Sequence, residues 1–366
     1  MNKEFYNVVI LIPSYQPDEK LTKYVNELID NKFRKILIVN DGSDEKCNKI
    51  FDELKNKEEC IVLEHEKNMG KGKALKTGFE YYINNIDKTE FVGIVTADSD
   101  GQHSVKDTIK IAESIDKNKN NKSIILGVRN FNKKDVPFRS KFGNNMTSFF
   151  LKVLYGAKIQ DTQTGLRGFT NQIMEECLEI KGDRYEYETN MLLYVINKKI
   201  DITQIEIETI YIEDNKSSHF NPIKDSFKIY KLIFGNFIKF SMSGIISFII
   251  DYLLFLLFAN IIFKGYDLKN LILVSTVLSR VISSAINFTL NKTVVFNNKG
   301  NENTILLIVK YYTLCIVQML LSAGIVYGVC CFVSLSKNIV KIIVDLILFF
   351  VSYKIQKEII FKKQEK

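Results

Sequence analysis

FVGIVTADSDGQH, residues 91–103, passes from a block of apolar and β-branched side chains straight into carboxylates, an amide and a glycine. The apolar half has the length of a strand and is followed at once by turn residues, which predicts a buried strand ending where the acidic cluster begins. Side chains two apart on an extended chain point the same way. Asp98, Asp100 and Gln102 would then offer three oxygens to one hard cation, magnesium or manganese. Asp, Ser and Gly are equally common in solvated turns, and a lone Asp-x-Asp would be read so. The neighbouring strand ends weigh against that reading.

Working outward, apolar blocks of similar length recur at VVILIP (8–13), KILIVN (35–40), CIVLEH (60–65) and SIILGV (123–128). Between them, residues 22–29, 47–54, 73–83 and 106–115 space their apolar side chains as helices do. Alternation of this kind predicts an α/β domain with a mostly parallel sheet covered by helices. Ligands of such sheets gather at strand ends. PSYQPDE follows the first strand, NDGSDE the second and ADSDGQH the fourth, so the three motifs are expected to share one crevice.

Composition divides the chain. Residues 1 to about 220 mix charge clusters with short apolar runs, whereas from Phe237 onward the apolar runs lengthen and charges become sparse. A soluble domain followed by a membrane domain is expected. The net charge of +8 comes mostly from lysines scattered among acids, with the aromatics inside apolar runs, a pattern that argues against nucleic acid and suits anionic lipid near a membrane. The six cysteines form neither a CxxC pair nor a metal spacing with the three histidines, which fits a reduced, cytosol-facing domain. MNKEFYNVVILIPSY is read as leading into a first strand, not as a signal peptide.

IPSYQPDE, IVNDGS, NMGKGKALKTGF and TADSDGQH, in this order, resemble glycosyltransferase family 2. The resemblance implies the nucleotide-sugar-binding fold called GT-A, with Asp98, Asp100 and Gln102 at its metal-binding positions. Pro13, Tyr15 and Asp41 match positions that hold the nucleoside. Glu19 matches more loosely, because Gln-Pro-Asp stands where shorter relatives have a tight turn. GKGKALKTG (70–78) fits neither a P-loop nor a dinucleotide fingerprint. It reads either as a helix N-terminus holding Lys71 near the nucleotide or as a structural turn.

Further along, Arg129, Arg139, DTQTGLRGF (161–169), RYEYETNML (184–192) and YIEDNKSSHFNP (211–222) look like the branch containing dolichyl-phosphate mannose synthases and bacterial polyprenyl-phosphate glycosyltransferases. That resemblance implies inverting transfer of one sugar from a UDP- or GDP-sugar to polyprenyl phosphate, undecaprenyl phosphate in a bacterium. It places Arg129 and Arg139 on donor or acceptor phosphate, and Lys216, Ser218 and His219 in a basic loop that closes over the donor. It also sets Asp161 beside the acceptor, to orient or assist the nucleophile. A lipid phosphate is anionic near neutral pH and needs no dedicated base, so the burden falls on electrostatics, with Asp100 and its cation on the leaving diphosphate and Arg139 aligning the nucleophile. Glu186 and Glu188 fit a structural helix face as well as a base and stay outside this set. A processive polysaccharide synthase is the competing enzyme, although its usual QxxRW-like motif needs a Trp and the chain has none. A lipid-linked sugar transporter with a nucleotide-sugar-sensing domain is the competitor from another class.

The second part offers four apolar segments, 236–263, 270–290, 305–333 and 338–353. An even count puts both termini on one side, and the tail with Lys354, Lys357, Lys362, Lys363 and Lys366 makes that side cytosolic, in a multi-pass protein of the cytoplasmic membrane. SRVISSAINFTLNKTVVF (279–296) aligns with VDLILFFVSYKIQKEIIF (344–361), so the second and fourth helices look like duplicates. Residues of about 235 to 361 resemble the GtrA-like membrane family, which implies moving or presenting polyprenyl-linked sugars. The alignment sets Arg280 against Asp345 as a pair. With Asp251 they form an intramembrane charge set, functional or structural. Ile223, Phe227, Tyr230 and Phe234 share one helical face, which predicts an interfacial helix over 221–235 or one that packs on a core. The expected division is thus 1–220, 221–235 and 236–366, and the sequence leaves a homo-oligomer open.

Overall fold

The computed structural model describes residues 5–131, 136, 138–208, 224–298, 303–333 and 336–362, the side chains at 138, 139 and 224–226 excepted. The chain falls into two compact units, Met1–Ile233 and Phe234–Lys366.

Seven strands make the sheet of the first unit: β1 Val9–Ser14, β2 Ile36–Asn40, β3 Cys60–Glu64, β4 Gly93–Thr96, β5 Ser123–Arg129, β6 Arg167–Thr170 and β7 Asp201–Ile207. Their order is β3-β2-β1-β4-β6-β5-β7. Only β6 runs against its neighbours, β4 and β5. Every residue of β1, β2 and β4 is buried, as expected of strands covered on both faces, and this is why they read in the sequence as unbroken apolar blocks. The parallel register pairs Ser14 with Asn40, so β1 and β2 end together, while β4 stops at Thr96 opposite Leu11 and its loop continues alongside the end of β1.

Helices α1 Glu19–Asp30, α2 Asn48–Lys55, α3 Lys71–Asn85 and α4 Val105–Asn118 fall where apolar spacing predicts them. In α1, Leu21, Tyr24, Val25 and Leu28 form the buried stripe, and the Asp18 side chain caps the first turn by accepting from the Lys20 N–H. Leu21, Val25 and Leu28 join Ile10, Ile12, Ile36, Ile38, Val95 and Ile111 in one core. After β5 come α5 Phe138–Tyr155, the short α6 Met174–Glu179 and α7 Glu186–Asn197. Strands β6 and β7 were not foreseen. RGFT has a single large apolar side chain and lies antiparallel, so no period marks it, while β7 is an edge strand whose side chains are mostly half-exposed.

The second unit is helical: α8 Lys224–Leu257, α9 Leu268–Leu290, α10 Thr304–Phe332 and α11 Lys337–Ile355, with π-helical turns at 258–262, 291–295 and 356–360. Helix α8 is unbroken from 224 onward, so the segment expected as a separate interfacial helix is, where described, the opening of a 34-residue helix. Among the described residues three helices are long and apolar enough to cross a membrane, Phe227–Ile262, Leu268–Val295 and Thr304–Phe332. The fourth expected span, α11, carries Lys337, Lys341, Asp345 and Lys354 and falls outside that group.

The internal repeat is visible as packing. Rings 288 and 353 occupy equivalent positions, as do 296 and 361. Phe288 meets Phe361 at 5.6 Å while Phe296 meets Tyr353 at 5.9 Å, so each partner contacts the other's counterpart. Phe296 stacks on Phe361 at 5.4 Å. Such reciprocal contacts are those of a two-fold interface, here within one chain. Polar side chains follow the same rule: Asn291 donates to Asn287 Oδ1 at 2.9 Å, and Gln356 donates to Ser352 Oγ at 3.2 Å.

The expected Arg280–Asp345 pair is not formed. Arg280 Nη2 lies 3.2 Å from Asp251 Oδ2, which also brings Ser283 to 2.9 Å of the other oxygen. Asp345 pairs with Lys341 at 2.9 Å and accepts from Ser322 at 2.6 Å. An alignment offset reports equivalent depth, not proximity. Each carboxylate finds its cation within its own hairpin, and for Asp345 that cation lies one helical turn away.

Candidate active site

The ends of β1, β2 and β4 open on one cavity of about 480 Å³, walled by residues that include Pro13, Tyr15, Asp41, Lys71, Asp98 and Asp100. The three strand-end motifs do share a crevice. Gln16 N–H donates to Ser43 Oγ at 2.9 Å, and Ser43 N–H donates to Asn40 Oδ1 at 3.0 Å, tying the first two loops together.

Asp41 builds the cavity floor. Its oxygens accept from the Met69 and Gly70 N–H groups, each at 2.8 Å, and from His65 Nδ1 at 2.8 Å. Nδ1 donates to the carboxylate, and on the other side of the ring Nε2 is hydrogen-bonded to Thr77 Oγ1 at 2.9 Å. The loop of 65–70 is thereby held under the start of α3. Gly70, at φ +103°, makes the turn into that helix, and a Cβ there would stand 2.4 Å from the Asp183 carbonyl oxygen. Lys71 follows as the first residue of α3, in the cavity wall.

The acidic motif is not extended as the alternation supposed. β4 stops at Thr96, residues 99 and 100 form a turn, and Gly101 adopts φ +77°. The Gln102 N–H caps Asp100 Oδ1 at 3.1 Å. Asp98 and Asp100 both line the cavity, while the Gln102 side chain is not part of its wall. Asp98 is gripped on several sides: Lys71 Nζ at 2.7 Å, His103 Nε2 at 3.5 Å, and the backbone of Gly165, where a Cβ would stand 2.1 Å from Asp98 Oδ2. Burial works against the Asp98 charge, yet Lys71 and His103 outweigh it and hold the carboxyl well below the usual range. Burial and the nearby Asp98 push the Asp100 carboxyl up.

Asp161 is fully buried and accepts four donors: Arg129 Nε at 2.6 Å, Arg129 Nη2 at 3.0 Å, the Arg129 N–H at 3.2 Å and the Gln163 N–H at 3.0 Å. Those four fill the lone-pair positions of a carboxylate, so Asp161 has none left for a nucleophile's proton and instead fixes the Arg129 guanidinium. Arg129 opens on a second cavity of about 600 Å³, with Asn130, Lys152 and Lys158. Glu19 is exposed at the start of α1, outside the first cavity, whose wall there is Asp18. The Arg139 side chain and Lys216, Ser218 and His219 lie outside the described residues.

Sequence reasoning passed over Arg184 and Tyr185, which complete the first cavity, and His65 and His103, which brace it; Glu188, weighed there only as a base or a helix face, braces it through Lys71. RYEYETNML was visible as a motif, but nothing in its spacing placed it near residue 98.

A parallel sheet whose strand ends hold an Asp-x-Asp turn beside a helix-borne lysine is the scaffold of a glycosyltransferase of GT-A fold. The model of glycosyl transferase family 2 matches residues 9–178, and that of the GtrA/DPMS transmembrane domain matches residues 239–361. The chain is 30% identical over 243 residues to the UDP-N-acetylglucosamine--dolichyl-phosphate N-acetylglucosaminyltransferase of Methanococcus voltae, covering 61% of this chain and 93% of that protein. It is 25% identical over 243 residues to the dolichyl-phosphate beta-glucosyltransferase ALG5A of Trichomonas vaginalis, covering 61% and 72% respectively. Among solved structures, mannosyl-3-phosphoglycerate synthase from Rubrobacter xylanophilus overlays 63% of this chain and 75% of its own at TM-score 0.44 and 12% identity. The chain belongs to glycosyl transferase family 2 and carries a GtrA/DPMS transmembrane domain. It is a membrane glycosyltransferase.

Proposed function

We propose that this enzyme transfers a single sugar, with inversion, from a nucleotide-diphosphate-sugar to a polyprenyl phosphate at the cytosolic face of the cytoplasmic membrane. The observation that carries the donor half is the crevice where Asp98, Asp100, Lys71, Asp41 and Tyr15 converge. The names of the two relatives, both dolichyl-phosphate sugar transferases, and the transmembrane domain support a lipid phosphate as acceptor. The name of the first favours a UDP-sugar as donor.

A divalent cation fits this site. Two half-buried carboxylates line one cavity, and burial followed by the neighbouring Asp98 raises the Asp100 carboxyl, which a cation between the two would relieve. Among the described residues no cluster of three or more acidic, His or Cys side chains could hold a metal alone. One or two carboxylates plus substrate phosphates is how magnesium is commonly held, so Asp98 and Asp100 would bind it together with the donor's diphosphate. The cation supplies charge for the leaving diphosphate. Lys71 adds a second positive charge, and Arg129, fixed by Asp161, is oriented for phosphate. A phosphate acceptor is already ionised near neutral pH, which agrees with an Asp161 that has no position free for a proton. The membrane unit keeps the lipid-linked product in the bilayer and presents it for passage across.

The test incubates membranes containing the protein with UDP- and GDP-sugars, polyprenyl phosphate and manganese, and compares the intact protein with Asp100→Asn. A lipid-linked sugar from the intact protein, lost in the variant, is expected. No such product from any donor would refute the assignment.

A further inference from the structure

Lys71 is shared between two carboxylates: its Nζ lies 2.7 Å from Asp98 Oδ1 and 3.0 Å from Glu188 Oε2. The Lys71 side chain is only 20% exposed, so the ammonium sits largely enclosed between the two carboxylates. Glu188, in the first turn of α7, is itself anchored. Its backbone carbonyl accepts from Arg167 Nη1 at 3.1 Å, and its Oε1 lies 3.8 Å from Arg167 Nη2. Arg167 is almost wholly buried in β6. Two residues earlier, Gly165 backs Asp98. One short stretch, TGLRG, thus sets the position of both carboxylates that hold the lysine.

This arrangement has an electrostatic consequence that rests on the donor and cation reading above. Asp98 is the point on which both Lys71 and a divalent cation converge, and two positive charges on one carboxylate repel. With Asp98 as its sole partner, Lys71 would be driven toward solvent when a cation arrived. We infer that Glu188 is a positioning residue that keeps Lys71 in the site when Asp98 takes the cation, so that the ammonium passes from Asp98 to the donor's diphosphate. Glu188 does not border the cavity wall; it acts through Lys71.

The experiment uses the full-length protein in detergent and reads Mn²⁺ affinity by electron paramagnetic resonance, and UDP and GDP affinity by calorimetry with and without Mn²⁺. Glu188→Gln removes the second negative charge beside Lys71 while keeping an acceptor oxygen, and it lowers Mn²⁺ affinity by about ten-fold, with nucleotide affinity falling alongside. Adding Lys71→Met to Glu188→Gln removes the competing ammonium, so Mn²⁺ affinity recovers while nucleotide affinity stays low. Glu188→Asp, which retains the charge, lies between wild type and Glu188→Gln, and it is the variant to read if Glu188→Gln does not fold. Affinities in Glu188→Gln within about two-fold of wild type, or a double variant no better for Mn²⁺ than the single one, would overturn the inference. Affinities that change across the variants as described, in a protein whose wild type makes no lipid-linked sugar, would refute the acceptor assignment and leave the role of Glu188 standing. Wild-type protein that binds neither Mn²⁺ nor nucleotide overturns both.

Discussion

Asn291 donates its side-chain amide to Oε1 of Gln356 at 3.0 Å, and the two residues are counterparts 65 positions apart in the two hairpins of the membrane unit. Around them Ser243 Oγ donates to Asn291 Oδ1 at 2.5 Å, and Tyr311 donates to Asn287 Oδ1 at 2.7 Å. Removing one member strands its partners, at about 1–3 kcal/mol for a buried group left unsatisfied. Asn291→Leu is expected to lower the thermal midpoint in detergent. The exchange Asn291→Gln with Gln356→Asn retains the bond and most of the stability. An exchange as damaging as Asn291→Leu would mean that the two positions are not interchangeable.

The two carboxylates of the second unit should behave independently, since Asp251 holds Arg280 and Asp345 holds Lys341. Arg280→Ala leaves Asp251 with Ser283 alone, and Asp251→Asn in the same chain is expected to restore part of the lost stability. Arg280→Ala and Asp345→Asn should add within about 0.5 kcal/mol in unfolding measurements. A larger coupling would bring back the cross-hairpin pair that the alignment suggested.

Asp161→Asn tests how that buried group works. The amide cannot accept all four donors, so Arg129 loosens and activity falls by about ten- to a hundred-fold. The acid limb of the pH–rate profile should keep its position, because the group acts by holding Arg129. Disappearance of that limb in the variant would identify Asp161 as a base.

For Asp100 the sign of the pH effect follows from its environment. Burial and Asp98 raise its carboxyl, and a cation binds the deprotonated form, so protons compete at a higher pH than they would at an ordinary aspartate. Mn²⁺ affinity is expected to be flat above the raised value and to fall about ten-fold per pH unit below it. A titration series in which affinity stays flat down into the ordinary aspartate range would contradict this.

The central strands and the shared crevice were legible because buried parallel strands must be apolar throughout and their polar ends must go somewhere. β6 escaped, being four residues long with an arginine and a glycine among them. At the site, the type of residue was legible but not its partner. Asp98 and Asp100 stand out in the sequence, whereas Glu188 meets Lys71 only because α7 and α3 pack side by side in the fold. The turn at Gly101 broke an alternation that assumed an extended chain. In the membrane unit the duplication is legible from aligned side chains, but the equal depth of Arg280 and Asp345 that it implies does not bring them into contact.

That duplication bears on how the chain is made. Residue 356 is synthesised after the whole first hairpin, so of its three side-chain partners Ser243, Asn287 and Gln356, Asn291 has only Ser243 and Asn287 until then. Until the second hairpin arrives, part of the polar seam is unsealed. The second hairpin therefore completes a polar seam that the first one begins.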